Sequence, residues 1–367
     1  PRGPTTEAKE YRWTWYSSSF LQNRTPTSSR FLQTPHFITN VLAVQFGGYS
    51  VPKLRIFFTS DLHGSEKCYK KFINAARIYK ANVLVVGGDL TGKRIVPIVK
   101  QADKTYKMRF LGEDLLLKNE GELEKAKKQI KSVGYYVHVA DESEIQALRE
   151  DEEKLQARFA ESMTETIANW VRFAEEKLKG SGVKVYMMPG NDDDYSIDPL
   201  LEGHDAVLNP NDKIVSINDH EMLSLGYANM TPWRCPRDIT EDELASKIEG
   251  LASKVSRMDR AIFNIHVPPY KTTIDLAPEL DEKLRPKAAG GGGVIMGNVG
   301  STAVRNAIEK HQPLLGLHGH IHDSKGMCRI ARTLCLNPGS EYIDGVLRGV
   351  IVDLDENKVR DYLFTSG

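Results

Sequence analysis

The sequence predicts an α/β fold, and three observations carry that expectation. Short continuous apolar runs recur at residues 54–59, 83–86, 183–188, 261–265 and 314–317; such runs suit strands buried on both faces. Between the first two, Cys68, Phe72, Ala75, Ala76 and Ile78 fall at helical spacing. Each run also stops at a turn bearing a carboxylate, an amide or an imidazole. Together these are the marks of a buried sheet whose carboxyl edge carries ligands.

Composition sets the outer limits. The 367 residues suffice for one large domain or two ordinary ones, and 40% hydrophobic with 27% charged residues describes a globular chain. Lysine plus arginine equals aspartate plus glutamate at 49 each, so no net field favours nucleic acid or an anionic membrane. The four cysteines form no CxxC pair. That argues against a disulfide framework or a thiolate zinc site, and a cytoplasmic location is expected. No apolar run approaches about 18 residues, so no membrane partner is expected.

Residues 1–51 are rich in Ser, Thr, Arg and aromatics without periodicity, and read as an N-terminal extension to a domain at 52–367. Within that domain, residues 103–180 interrupt the strand–helix rhythm and read as a mainly helical insertion. It comprises a hairpin over 108–117, a charged helix over 120–133, a short strand at 135–139 and a long amphipathic helix, broken once, over 141–179. It is placed to wall the active site or to make a homo-oligomeric contact. Further on, Thr240 reads as the N-cap of a helix over 241–258, and 301–311 as a helix. The tail offers three β-prone runs at 333–336, 347–352 and 359–363. The Gly290–Gly293 run lacks the Lys-Ser/Thr that would make it a phosphate loop.

The chemistry lies at the strand ends. Five successive strand candidates run out into Asp61 and His63, then Asp89, then Asn191, then His266, then His320 and His322. One Asp or Asn after a strand is usually a turn former. Five such endings along one sheet edge make a ligand set of oxygen and imidazole with no thiolate, which suits Mn, Fe, Zn, Co or Ni. Gly319, between the last imidazoles, is suited either to a positive φ or to close approach of the backbone.

The order Asp61-x-His63, Gly88-Asp89, Gly190-Asn191, His266, Gly319-His320-x-His322 resembles the calcineurin-like metallophosphoesterase superfamily from about residue 54 to 340. Ser301-x-x-Val304-Arg305 through His322, with Asn337-Pro338-Gly339-Ser340, resembles its Icc-type phosphoesterases in particular. The resemblance implies a four-layer αββα sandwich holding two divalent metal ions, manganese first among the candidates. It assigns one ion to Asp61, His63, Asp89 and His322, and the other to Asp89, Asn191, His266 and His320, with Asp89 bridging. It also implies hydrolysis of a phosphate ester by a metal-bridging hydroxide.

One position departs from the pattern. Many family members carry His after the Gly-Asn; here Asp192 stands there. A carboxylate repels a dianionic monoester more than a singly charged diester, and no imidazole is left to protonate the leaving oxygen. The reading is therefore a phosphodiesterase acting on small diesters, cyclic nucleotides among them. A broad phosphomonoesterase, a nuclease and a non-enzymatic scaffold are the alternatives. Asp192 is a candidate catalytic group or a carboxylate that positions others. His318, beside the ligands, is a candidate substitute acid or a residue that orients them.

Overall fold

The computed structural model describes residues 54–367; the expectation for residues 1–51 lies outside the described residues. Strand β1 (Leu54–Thr59), helix α1 (Glu66–Tyr79) and β2 (Val83–Val86) come first. Then follow β3 (Ile95–Lys100), the hairpin β4 (Tyr106–Phe110) and β5 (Glu113–Leu117), α2 (Glu120–Ser132), β6 (Tyr136–Ala140), α3 (Glu142–Glu150) and α4 (Glu152–Leu178). The middle holds β7 (Lys184–Met187), β8 (Val207–Leu208), β9 (Lys213–Ile217), β10 (His220–Leu225), β11 (Ala228–Asn229), β12 (Asp238–Ile239), α5 (Glu241–Ala252) and β13 (Ile262–Ile265). The last part holds β14 (Leu276–Pro278), β15 (Met296–Asn298), α6 (Thr302–His311) and β16 (Leu315–Leu317). It closes with β17 (Gly326–Ile330), β18 (Thr333–Asn337), β19 (Arg348–Asp355) and β20 (Lys358–Ser366).

Two six-stranded sheets form the core, in the orders β20-β19-β1-β2-β7-β8 and β17-β18-β16-β13-β10-β9. Strands β1, β2, β7 and β8 run parallel, as do β10, β13, β16 and β18. Side chains alternate across each strand. Ile56, Phe58, Val83 and Val85 face inward and pack with Met222, Ile262, Leu317 and Leu336 of the second sheet. Phe57, Leu84 and Val86 face outward against Phe72 of α1 and Ile167 and Trp170 of α4. On the far side, Leu223, Phe263 and Ile265 pack against Leu244 and Ile248 of α5 and Val304 and Ile308 of α6. The result is the four-layer αββα sandwich. It accounts for the unbroken apolar runs, because each inner strand is covered on both faces and each such side chain contributes roughly 1.5–3 kcal/mol by burial.

The helix starts follow local rules. Ser65 caps α1 by accepting from Cys68 N at 3.3 Å, and Thr240 forms a capping box with Glu243 at the head of α5. The helix expected over 241–258 stops at Ala252.

Three expectations need revision. The strand ends do not share one sheet edge: β1, β2 and β7 belong to the first sheet, β13 and β16 to the second. An apolar run reports that both faces are covered but not which neighbours cover them. Second, the segment 103–180 is not separate from the chain before it: the expected hairpin is β4 and β5, and the expected short strand is β6. Strands β4, β5 and β6 join β3 in a four-stranded sheet, order β5-β4-β3-β6, with its own core of Val96, Ile98, Met108 and Ile130. Third, α4 does not belong wholly to that segment, since Ile167, Trp170 and Ala174 lie in the core of the main sandwich. The break expected in the long helix falls at Asp151, which ends α3 and caps α4.

Residues Glu279–Ile295 fall outside the compact unit described above. They pair among themselves, with Glu279 N donating to Ile295 O at 2.8 Å and Ala289 N to Gly293 O at 2.7 Å. Among the described residues, no helix is long and apolar enough to cross a membrane.

Candidate metal centre

The backbone ladder does not stop where β1 and β2 end. Asp61 N donates to Gly88 O at 3.0 Å, His63 N to Asp89 O at 3.0 Å and Gly64 N to Leu90 O at 2.8 Å. These bonds hold the loop of Asp61 and His63 beside the loop of Asp89. To keep them, the chain takes left-handed backbone at Asp61 (φ 57°), His63 (φ 42°), Asp89 (φ 54°) and His320 (φ 65°). Non-glycine residues rarely sit there, at about 1–3 kcal/mol each, and such strain concentrates at functional sites.

The second sheet brings its loops to the same place. Gly319 N donates to His266 O at 2.9 Å, and Ser340 Oγ to Asp61 O at 2.7 Å. His320 N donates to both Asp61 carboxylate oxygens, at 3.1 and 3.0 Å. The requirement at Gly319 is therefore close approach, because a Cβ there would overlap Ser60 Oγ and the Asp61 carboxylate. Gly190 is constrained in the same way, by the Asp89 carboxylate.

The six candidate Asp and His ligands fall into two clusters, Asp61–His63–His322 and Asp89–His266–His320, with the ligand atoms of each within 4.8 Å of one another. In the first, His63 Nε2 lies 3.1 Å from His322 Nε2, and His322 Nε2 lies 3.4 Å from Asp61 Oδ1. In the second, His266 Nε2 lies 3.4 Å from Asp89 Oδ1 and 3.1 Å from Asn191 Oδ1. Asp89 stands between them, its Oδ2 being 3.5 Å from His63 Nε2. Asp61, His63, Asp89, Asn191 and His266 are all buried.

The donor chemistry fits divalent cations. The outer nitrogen of His266, Nδ1, donates to the Gly87 carbonyl at 2.8 Å, which leaves Nε2 facing the oxygens of Asn191 and Asp89, where it donates while protonated and offers its lone pair to a cation once deprotonated. Asn191 is oriented likewise: its amide donates to Asp238 Oδ1 at 2.9 Å and leaves Oδ1 for the cluster. Acceptors converging in a buried place call for positive charge. His266 registers that demand: burial pulls its pKa down, but the charge and hydrogen bond of Asp89 outweigh it and lift it to about 10. Burial works to raise Asp61, yet the His322 hydrogen bond and charge, with His266 and His63, hold it well below the usual carboxylate range. Burial, with the charges of Asp192 and Asp61, raises Asp89 to about 6 against the pull of His266. Burial pushes His320 down to about 3, leaving a neutral ring able to ligate.

Asp192 is brought to this place and His318 is turned away from it. An Asp192 carboxylate oxygen lies within 4.8 Å of the ligand atoms of His63 and Asp89. Its Oδ2 is ion-paired with Lys93, and its Oδ1 accepts from Cys235 Sγ at 2.7 Å. Burial opposes ionisation, but the charges of Lys93 and His63 hold it well below the ordinary range. His318 is fully buried, its Nδ1 donating to Ile265 O at 2.8 Å, and it joins neither cluster.

Several supporting residues escape sequence reasoning. Asp193 is a buried clamp that accepts from Gly190 N (2.7 Å), Leu90 N (2.9 Å), Thr91 N (2.8 Å) and Thr91 Oγ1 (2.6 Å). It thereby locks the Asp89 loop to the Asn191 loop. Arg237, fully buried, donates to the carbonyls of Asp193 and Asp194 and pairs with Asp198 at 2.6 Å. Tyr342 packs its ring 4.7 Å from His63 and 5.9 Å from His322, fixing both imidazoles by contact. Only the carboxylate run after Asn191 hinted at any of this.

A four-layer αββα sandwich with Asp/His clusters where the strands of both sheets end is the arrangement that the resemblance to the calcineurin-like metallophosphoesterases implies. No family model matches the sequence. The chain is similar to an uncharacterized protein of Methanocaldococcus jannaschii, 28% identical over 158 residues, which is 42% of this chain and 64% of that relative. The chain thus spans somewhat less than two thirds of the curated relative it matches. Among solved structures it is similar to a protein of Thermus thermophilus, with 14% identity, a TM-score of 0.47 and coverage of 86% of this chain and 98% of that one. It is also similar to a phosphoesterase from E. coli, with 10% identity, a TM-score of 0.31 and coverage of 84% and 98%. A purple acid phosphatase from yellow lupin seeds has 11% identity, a TM-score of 0.36 and coverage of 85% and 53%.

Proposed function

We propose that this chain is a metal-dependent phosphodiesterase that hydrolyses small diesters at a dinuclear centre. The observation that carries the reading is Asp89 standing between two Asp/His clusters, within 3.5 Å of an imidazole nitrogen on each side. Asp61, His63, Asp89 and His322 would hold one ion, and Asp89, Asn191, His266 and His320 the other. The all oxygen-and-nitrogen set suits manganese. When bound, a pair of divalent cations neutralises phosphoryl charge and lowers the pKa of a water that attacks phosphorus. The protein's part is to hold the ligands rigid and dry, through burial, the continued backbone ladder and the Asp193 clamp.

Preference for a diester is supported by the absence of an imidazole acid. Asp192 fills the position after Asn191, and His318, whose Nδ1 donates to a backbone carbonyl, belongs to neither cluster. A leaving oxygen that goes unprotonated must be a good leaving group. The test is turnover of bis-p-nitrophenyl phosphate against p-nitrophenyl phosphate after chelation and reconstitution with single metals. The diester should be the better substrate, and Asp192→His should shift the ratio toward the monoester by about tenfold or more. Faster turnover of the monoester by the parent protein would overturn the diesterase reading.

A further inference from the structure

We propose that Lys93 is the residue that binds the substrate's phosphoryl oxygen, held over the metal centre by Asp192 until substrate arrives. The proposal rests on the phosphoesterase reading above and adds a recognition residue to it. Lys93 follows Asp89 by four positions, at the end of a loop with little freedom. Asp193 holds Leu90 N and Thr91 N, and Tyr136 Oη accepts from Gly92 N at 2.7 Å. The root of the lysine is therefore fixed, and its long stem carries the ammonium to Asp192 Oδ2. That carboxylate lies within 4.8 Å of the ligand atoms of His63 and Asp89, so the ammonium sits at the rim of the clusters.

The surroundings explain why a cation is placed there. The groups at the strand ends are carboxylates, an amide oxygen and imidazole lone pairs, all of them suited to bind metal and none to hold a phosphoryl oxygen. Lys93 supplies the missing donor, with a side chain 29% exposed and so open to a ligand entering from solvent. Asp192 is the anion that the ammonium meets in its place. Its other oxygen is pinned by the Cys235 thiol, which burial and the charges of Asp192 and Asp238 keep protonated and donating. A phosphoryl oxygen can take over the lysine without disturbing that carboxylate. The pair also changes what Asp192 means for substrate charge, since the carboxylate is neutralised by its neighbour.

The experiment uses the full chain loaded with manganese, with metal content measured throughout. Inorganic phosphate is titrated by calorimetry, and bis-p-nitrophenyl phosphate gives KM and kcat. Lys93→Met should keep its metal, weaken phosphate binding by about tenfold or more and raise KM by a similar factor, with a smaller change in kcat. Lys93→Arg should recover most of the binding. The double variant Lys93→Met with Asp192→Asn separates recognition from mere charge balance. Under the proposal it stays weak for phosphate; if Lys93 only neutralises Asp192, binding returns to the parent value and the proposal is overturned. Phosphate binding by Lys93→Met within twofold of the parent also overturns it, while leaving the phosphoesterase reading intact. A parent protein that takes up metal but neither binds phosphate nor turns over the diester overturns that reading, and this proposal with it.

Discussion

Asp89→Asn is expected to lower diester turnover by about a thousandfold or more and to reduce metal uptake at both sites. Asp89 offers one oxygen toward His63 and the other toward His266. An amide keeps one acceptor oxygen, loses the charge and places an N–H₂ where the second ion would bind. The substitution should not harm folding. Asp89 has a φ of 54°, and Asn is among the residues that tolerate that conformation best. Thermal unfolding of the chelated protein should therefore move by only about 2 °C. Retention of more than a tenth of the parent activity would show that Asp89 does not link two ions.

Asp193→Ala is expected to cost about 3–5 kcal/mol of stability and to lower Tm by roughly 10 °C. The carboxylate is fully buried and satisfies three backbone N–H groups and one hydroxyl from two loops. Its removal leaves those donors buried without an acceptor, a larger cost than the loss of one exposed hydrogen bond. Asn at this position should recover part of the stability, because its single carbonyl oxygen cannot serve all four donors. Urea unfolding of the two variants checks the order. A loss under 1 kcal/mol for Asp193→Ala would mean that the two ligand loops are held together by something else.

These expectations also mark where the sequence was legible. The inner strands were readable because burial on both faces writes itself as an unbroken apolar run, as at Val83–Val86. The candidate ligand positions were readable because each follows its strand by a few residues, as Asp61 follows Thr59 and His266 follows Ile265. Strands β3 and β17 were not readable: Pro97 interrupts the first and Arg329 with Cys328 the second, so neither shows a clean period. The division of the ligand edge between two sheets was hidden too, because adjacency of β1 with β19 and of β16 with β18 joins distant segments.

The supporting shell was the least legible part. Asp193 looked like any carboxylate in a turn, and its four donors come from residues that only the fold makes neighbours. Lys93 lies 99 positions before Asp192, so its ion pair has no local signature, though it changes the charge argument made from Asp192 alone. The left-handed backbone at Asp61, His63, Asp89 and His320 likewise cannot be seen in residue type. It belongs to the interlocking of loops that shapes the site.

The central claim, a two-ion centre that performs the hydrolysis, is tested most directly by counting metal against activity. The protein is stripped with a chelator, titrated with manganese, and assayed at each step for bound metal and for bis-p-nitrophenyl phosphate turnover. The expected result is activity lost on chelation and restored as the second equivalent per chain binds. Turnover that survives chelation, or full activity at one equivalent with no second ion bound, would contradict it.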